Sequence, residues 1–161
     1  LVPVLIEGRL YSNKLAYISF ILAALGIPLL VYGFYVFNMG LPTQCGGILI
    51  CLAITTYLVN LAMSMIKSGH ENVHAFSVFT AAIWLLTTTI VGLLLVYNFS
   101  YPLFSNNSLA YLPLHAHIGI IGWFLLLVTG IGSRVIPMFL ISKYNHQKQL
   151  CWVYWLISGG L

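Results

Sequence analysis

Residues 15–37 read LAYISFILAALGIPLLVYGFYVF, an apolar run without a single charge. A helix rising 1.5 Å per residue needs about 20 such residues to cross the ~30 Å hydrocarbon core of a bilayer, and this run is long enough. Its one interruption, Pro28, is a tolerated kink in a membrane helix. On the C-terminal side, residues 38–43 break the run, and a second span covers 46–66, where Thr55, Thr56 and Asn60 offer interhelical hydrogen bonds. After the polar turn 67–72 comes a third span, 73–97. The uncharged loop 98–113, with Pro102, Asn106, Asn107 and Ser108 as turn formers, leads to a fourth, 114–141. Residues 150–161 form a partial span, and Leu1-Val2-Pro3-Val4 reads as the tail of a helix that starts upstream. The expectation is an all-α polytopic transmembrane helix bundle, with a single transmembrane domain over 1–161, four full spans and truncated ends.

Composition agrees with this expectation. Hydrophobic residues make up 61% of the 161 and charged residues 5%, against roughly 25% charged in a soluble domain. The formal charge of +4 is not a basic patch, because six Lys and Arg are spread thinly between apolar runs. Nucleic-acid binding is discarded on that ground. Arg9, Lys14, Lys67, Lys143 and Lys148 fall in alternate connections, and the intervening two contain no Lys or Arg. Such asymmetry places the basic connections in the cytoplasm, with a bacterial inner membrane as the expected location. Arg134, near the inner end of the fourth span, can snorkel to the same side. The fourth span then enters from the outer face, with His115 and His117 at that end.

A short internal match joins Leu1-Val2-Pro3-Val4-Leu5-Ile6 to Val135-Ile136-Pro137-Met138-Phe139-Leu140, each followed by a polar, basic turn and another apolar run. Laying Pro3 on Pro137 makes one unit of four spans.

Few residues carry chemistry. Glu7 and Glu71 are the only acids, both in basic connections, so no carboxylate lies within the membrane to relay protons. No paired-carboxylate, Ser/His/Asp or Gly-rich phosphate arrangement is present, which argues against hydrolysis. Cys45, Cys51 and Cys151 lack metal-ligand spacing and read as apolar thiols. His70, His74 and His146 fall at basic helix ends, where a solvated imidazole is the ordinary reading. Thr87, Thr88 and Thr89 line a polar track or bond to their own backbone. Trp84, Trp123, Trp152 and Trp155 read as packing or interfacial residues.

One constellation stands out, Leu114-His115-Ala116-His117-Ile118-Gly119-Ile120-Ile121-Gly122-Trp123, continuing through Gly130 and Ser133 to Pro137-Met138-Phe139. Two residues apart on a helix, His115 and His117 point about 200° from each other and serve two separate sites. The His115 face runs on through Gly119, Gly122, Gly130 and Ser133, a smooth strip for a flat macrocycle or another helix. His117 shares its face with Ile121, Phe124 and Val128. Neutral imidazole is a strong ligand for haem iron, and an outer-leaflet position suits a periplasmic electron donor. Against this stands a plainer reading, in which both histidines cap the helix at the interface and the glycines pack a neighbouring helix.

The stretch from Leu114 to Phe139 resembles the haem-ligand helix of the haem-copper oxidase superfamily, whose pattern is His-x-His near the outer side, a Gly midway, and Pro, an apolar residue and Phe at the inner end. His115, His117, Gly130, Pro137, Met138 and Phe139 occupy those positions here. The resemblance implies haem b on both faces of the helix, with His115 similar to a high-spin proximal ligand and His117 to a low-spin one. It also implies a bundle built from four-span units, with further membrane subunits or helices as partners. The first span has no His, so the family's copper site finds no support in this segment, and the intramembrane Lys or Glu of its proton pathways is missing too. The chain is therefore more similar to the divergent members, including those tied to nitric oxide tolerance. The resulting expectation is a haem-binding integral membrane protein of electron transfer, an oxidoreductase subunit among the options. A cofactor-free structural or assembly subunit and a membrane transporter are the alternatives.

Overall fold

A computed structural model describes residues 2–69, 73–141 and 147–161. Among these residues there is no strand. The elements are α1 (Val2–Leu5), α2 (Asn13–Tyr35), α3 (Leu41–Ser68) and α4 (Val73–Ser100), a 3-10 turn (Ser108–Tyr111), α5 (Leu112–His117), a π-helical segment (Ile118–Leu125), α6 (Leu126–Phe139) and α7 (Gln147–Gly159). Four helical stretches are long and apolar enough to cross a membrane: α2, α3, α4 and the continuous run Ser108–Phe139. The chain is thus an all-α, polytopic helix bundle, and its apolar helices suit contact with a lipid bilayer. The expected spans 15–37, 46–66, 73–97 and 114–141 each fall within two to six residues of these bounds. Lys143, His70, Glu71 and His146 lie outside the described residues.

Each span packs mainly on the next in sequence, so the four form an arc. Lipid tails are as apolar as leucine, and close helix contact therefore depends on small residues and polar side chains. At the α2–α3 crossing, a Cβ on Gly46 would lie 2.6 Å from the backbone nitrogen of Leu30 and 2.9 Å from the carbonyl of Gly26. The two backbones are in direct contact there.

A polar ladder on α3 holds the chain between α1 and α2. Asn60 accepts from the Ser12 N–H through Oδ1 (3.1 Å) and donates to its carbonyl through Nδ2 (3.0 Å). One turn on, Ser64 Oγ accepts from the Tyr11 N–H (2.9 Å), and a further turn on, Ser68 Oγ donates to the Ile6 carbonyl (2.6 Å). Of the three polar residues expected to reach across helices, only Asn60 does so. Thr55 and Thr56 bond back to Cys51 and Leu52 in their own helix. The ladder seats Leu5 and Ile6, 1% and 2% exposed, against Leu61 of α3 and Ala75, Val78 and Ala82 of α4. Leu127 and Ile131 of α6 close over them. Leu5 of α1 and Ile6 just after it therefore fill the inside of the arc at the end carrying Arg9, Lys14 and Lys67.

His74 differs from the sequence expectation of a solvated imidazole. It is buried, with Nδ1 at 2.8 Å from Ser133 Oγ, because the first turn of α4 is covered by α6. Beside it, Arg134 extends to Glu7 (2.7 Å) and ties α6 to the residues after α1. Both partners are partly exposed, a setting in which such a pair contributes up to about 1 kcal/mol.

Candidate functional site

The fourth span runs antiparallel to α4 with an orderly register. The His115 ring lies against Gly92, where an added Cβ would sit 2.9 Å from Cε1. Further along, a Cβ on Gly119 would meet Thr88 at 3.2 Å, one on Gly122 would meet Trp84 at 2.9 Å, and one on Gly130 would meet Ser77 at 2.9 Å. Ser133 and His74 complete the series. Each step down the fourth span is matched by a similar step up α4. The smooth strip expected from His115, Gly119, Gly122 and Gly130 is present on one face. Gly122 and Gly130 are used for close approach of α4, the second of the two uses the sequence allowed.

At the end away from the basic connections, the inside of the arc is an open cavity of about 600 Å³, within the ~300–1,000 Å³ typical of small-molecule and cofactor sites. Leu30 and Phe34 of α2, Gly47 and Ile50 of α3, and Thr88, Thr89 and Gly92 of α4 form its far walls. His115, Gly119, Trp123 and Phe124 form the near one. His115 also borders a smaller chamber of about 280 Å³, lined by Phe37, Met39 and Phe99, and shares with Phe34, Gly92 and Val96 the boundary between the two. The threonines bring little polarity, since Thr87, Thr88 and Thr89 hydrogen-bond to carbonyls of their own helix. His115 Nδ1 is buried and has no hydrogen-bond partner among the described residues. A buried imidazole nitrogen without a partner costs about 1–3 kcal/mol.

His117 has a different setting. It is exposed on the outer flank of the fourth span, and neither cavity bordered by His115 includes it. The two rings are thus separated as the helical spacing requires, one inside the arc and one outside. Phe124 departs from the expectation that grouped it with His117. Nine α-helical steps of ~100° would put it opposite His115, but in a π segment each residue advances less, and Phe124 turns toward the His115 cavity.

The sequence singles out His115 and Gly119 of the near wall, sets Phe124 on the opposite face, and gives no sign of Phe34, Gly47 or Gly92 on the far one. Gly92 and Phe34 carry no distinguishing motif, and Thr88 stands out only as one of three consecutive threonines; the packing of the arc is what brings all three opposite His115. No proline or polar residue marks Ile118–Leu125, so its π geometry has no sequence signal either. Among the described residues no three His, Cys, Asp or Glu side chains converge. No protein-family model, curated protein or solved structure matches this chain.

Proposed function

We propose that the chain is a haem-binding integral membrane protein of electron transfer, with His115 as an axial ligand. The observation that carries this reading is the His115 imidazole on the wall of an apolar cavity of cofactor size. The donor set suits haem b: one imidazole and aromatic walls at Phe34, Trp123 and Phe124. A bound haem would supply a one-electron couple. His115 would hold its iron, and the apolar lining would exclude water and set the dielectric that tunes its potential. No Lys or Arg lines the cavity to pair with propionates. His117 holds a second haem only where another subunit or further helices supply the opposite wall.

The alternating basic connections support a cytoplasmic location for Arg9, Lys14, Lys67 and Lys148. Under that orientation the cavity opens in the outer half of a bacterial inner membrane, within reach of a periplasmic donor. The fourth-span motif, His115 through Phe139, supports kinship with the divergent haem-copper oxidase-like proteins, and with it an oxidoreductase subunit.

Absorption of the protein purified from haem-supplied cells tests the reading. The expected result is a Soret band that His115→Ala abolishes and His117→Ala leaves in place. A colourless wild-type protein would leave the histidines to helix packing and the chain to a structural role.

A further inference from the structure

At the end of the bundle away from the basic connections, residues 101–107 are exposed, and the one buried residue of 101–110 is polar: Ser108, 3% exposed. Asn98, in the last turn of α4, makes its seat. The Asn98 Nδ2 donates to Ser108 Oγ (3.0 Å) and to the Asn106 carbonyl (3.3 Å), while Oδ1 accepts from the Phe104 N–H (2.8 Å). Ser108 Oγ donates in turn to the Leu95 carbonyl (3.0 Å). A backbone N–H only donates and a carbonyl only accepts, so a single orientation of the Asn98 amide satisfies all its partners. The rings of Phe104 and Tyr111, 5.2 Å apart, hold the segment folded on itself.

The smaller chamber beside His115 lies against this segment, which supplies Leu109 and Leu112 to its wall. The rest of the rim is tied as well. Gln44 Nε2 donates to the Met39 carbonyl (3.1 Å) and to Ser100 Oγ (3.3 Å), and the rings of Phe37 and Phe99 meet edge to face at 6.5 Å. We infer that residues 101–112 are a strap closing the chamber to the aqueous side at this end of the bundle, with Asn98 as its clasp. No Asp, Glu, Lys or Arg lines the chamber, and the Ser108 hydroxyl is spent on Asn98 and Leu95, so an entering ion would lose its hydration and gain no partner. The clasp is weak enough to open. Its bonds join neutral groups at a largely exposed site, where each adds little net stability, and residues 101–107 bury little that would hold them down. Release opens the chamber, and through it the His115 wall of the larger cavity, to charged solutes from water. Uncharged, lipid-soluble molecules have the open side of the arc, between α2 and the fourth span, whether the strap is closed or not. Access is set in this way whatever the cavity binds.

Thiol labelling inside the chamber tests this. Leu95 is buried and lines the chamber but not the larger cavity. Leu95→Cys in the full chain, with Cys45, Cys51 and Cys151 replaced by alanine, therefore reports on the chamber with His115 intact. In lipid nanodiscs, where both faces meet water, a charged, membrane-impermeant methanethiosulfonate should label it slowly and an uncharged, lipid-soluble maleimide quickly. Asn98→Ala should raise the first rate about tenfold or more and leave the second within about twofold. Fast labelling by the charged reagent with Asn98 in place overturns the strap. So does a folded Asn98→Ala protein labelled no faster than its parent, or one in which both rates rise equally. If Asn98→Ala does not fold, Ser108→Ala decides by the same two rates: a rise in the first alone is expected, and no change overturns the inference.

Discussion

His115 and His117 show how two identical side chains, one residue apart, come to differ. The ring of His115 turns inward against the bare backbone of Gly92, and that of His117 turns out. Gly92 is consequently a positioning residue for the imidazole. Gly92→Ala places a methyl 2.9 Å from Cε1 and forces the ring aside. Weakened haem retention and a shifted Soret maximum are expected in absorption spectra, and an unchanged spectrum would separate His115 from the haem. Ile141 offers a second test at this scale. A β-branched residue at φ 50° is strained, and asparagine tolerates that conformation better. Ile141→Asn should stabilise the protein by about 1 kcal/mol in a detergent unfolding titration. The spacing of the two histidines made their opposite directions legible in the sequence. Which of them would meet a cavity was not legible, because that depends on Gly92 and Phe34, distant in sequence and unremarkable there.

Helices in this bundle are held by steric fit and by a few hydrogen bonds rather than by expulsion of water from apolar faces. The α2–α3 crossing separates two adjacent glycines by what they touch. Gly46 faces the backbone of α2, which cannot yield, whereas Gly47 faces the flexible end of Leu93. Gly46→Ala should cost about 3 kcal/mol and Gly47→Ala less than about 1 kcal/mol, measured by thermal melting in detergent. Equal effects would show that the crossing is looser than described. Apolar length made the four spans legible, and the resulting bounds hold to within two to six residues. Their partners were less so: Thr55, Thr56 and Asn60 looked alike as candidates, and only the proximity of Ser12 singled out Asn60. His74 departs from the solvated setting for a related reason, since burial of a helix end depends on what crosses it.

The molecule as a whole is an arc whose inner side is packed by Leu5 and Ile6 at one end and open beside His115 at the other. Packing at the closed end fixes the register of α4 against α6, and that register sets His115 on Gly92. The cavity is thus a consequence of the fold's polarity from end to end. Such a site should keep its shape when the imidazole is removed, because its walls come from four helices. The most direct test is therefore to purify His115→Gly with haem present and titrate imidazole into it. The expected result is a protein that lacks the wild-type Soret band and regains it on saturation with imidazole. A His115→Gly protein that carries haem unchanged without imidazole would contradict the assignment of His115 as the ligand.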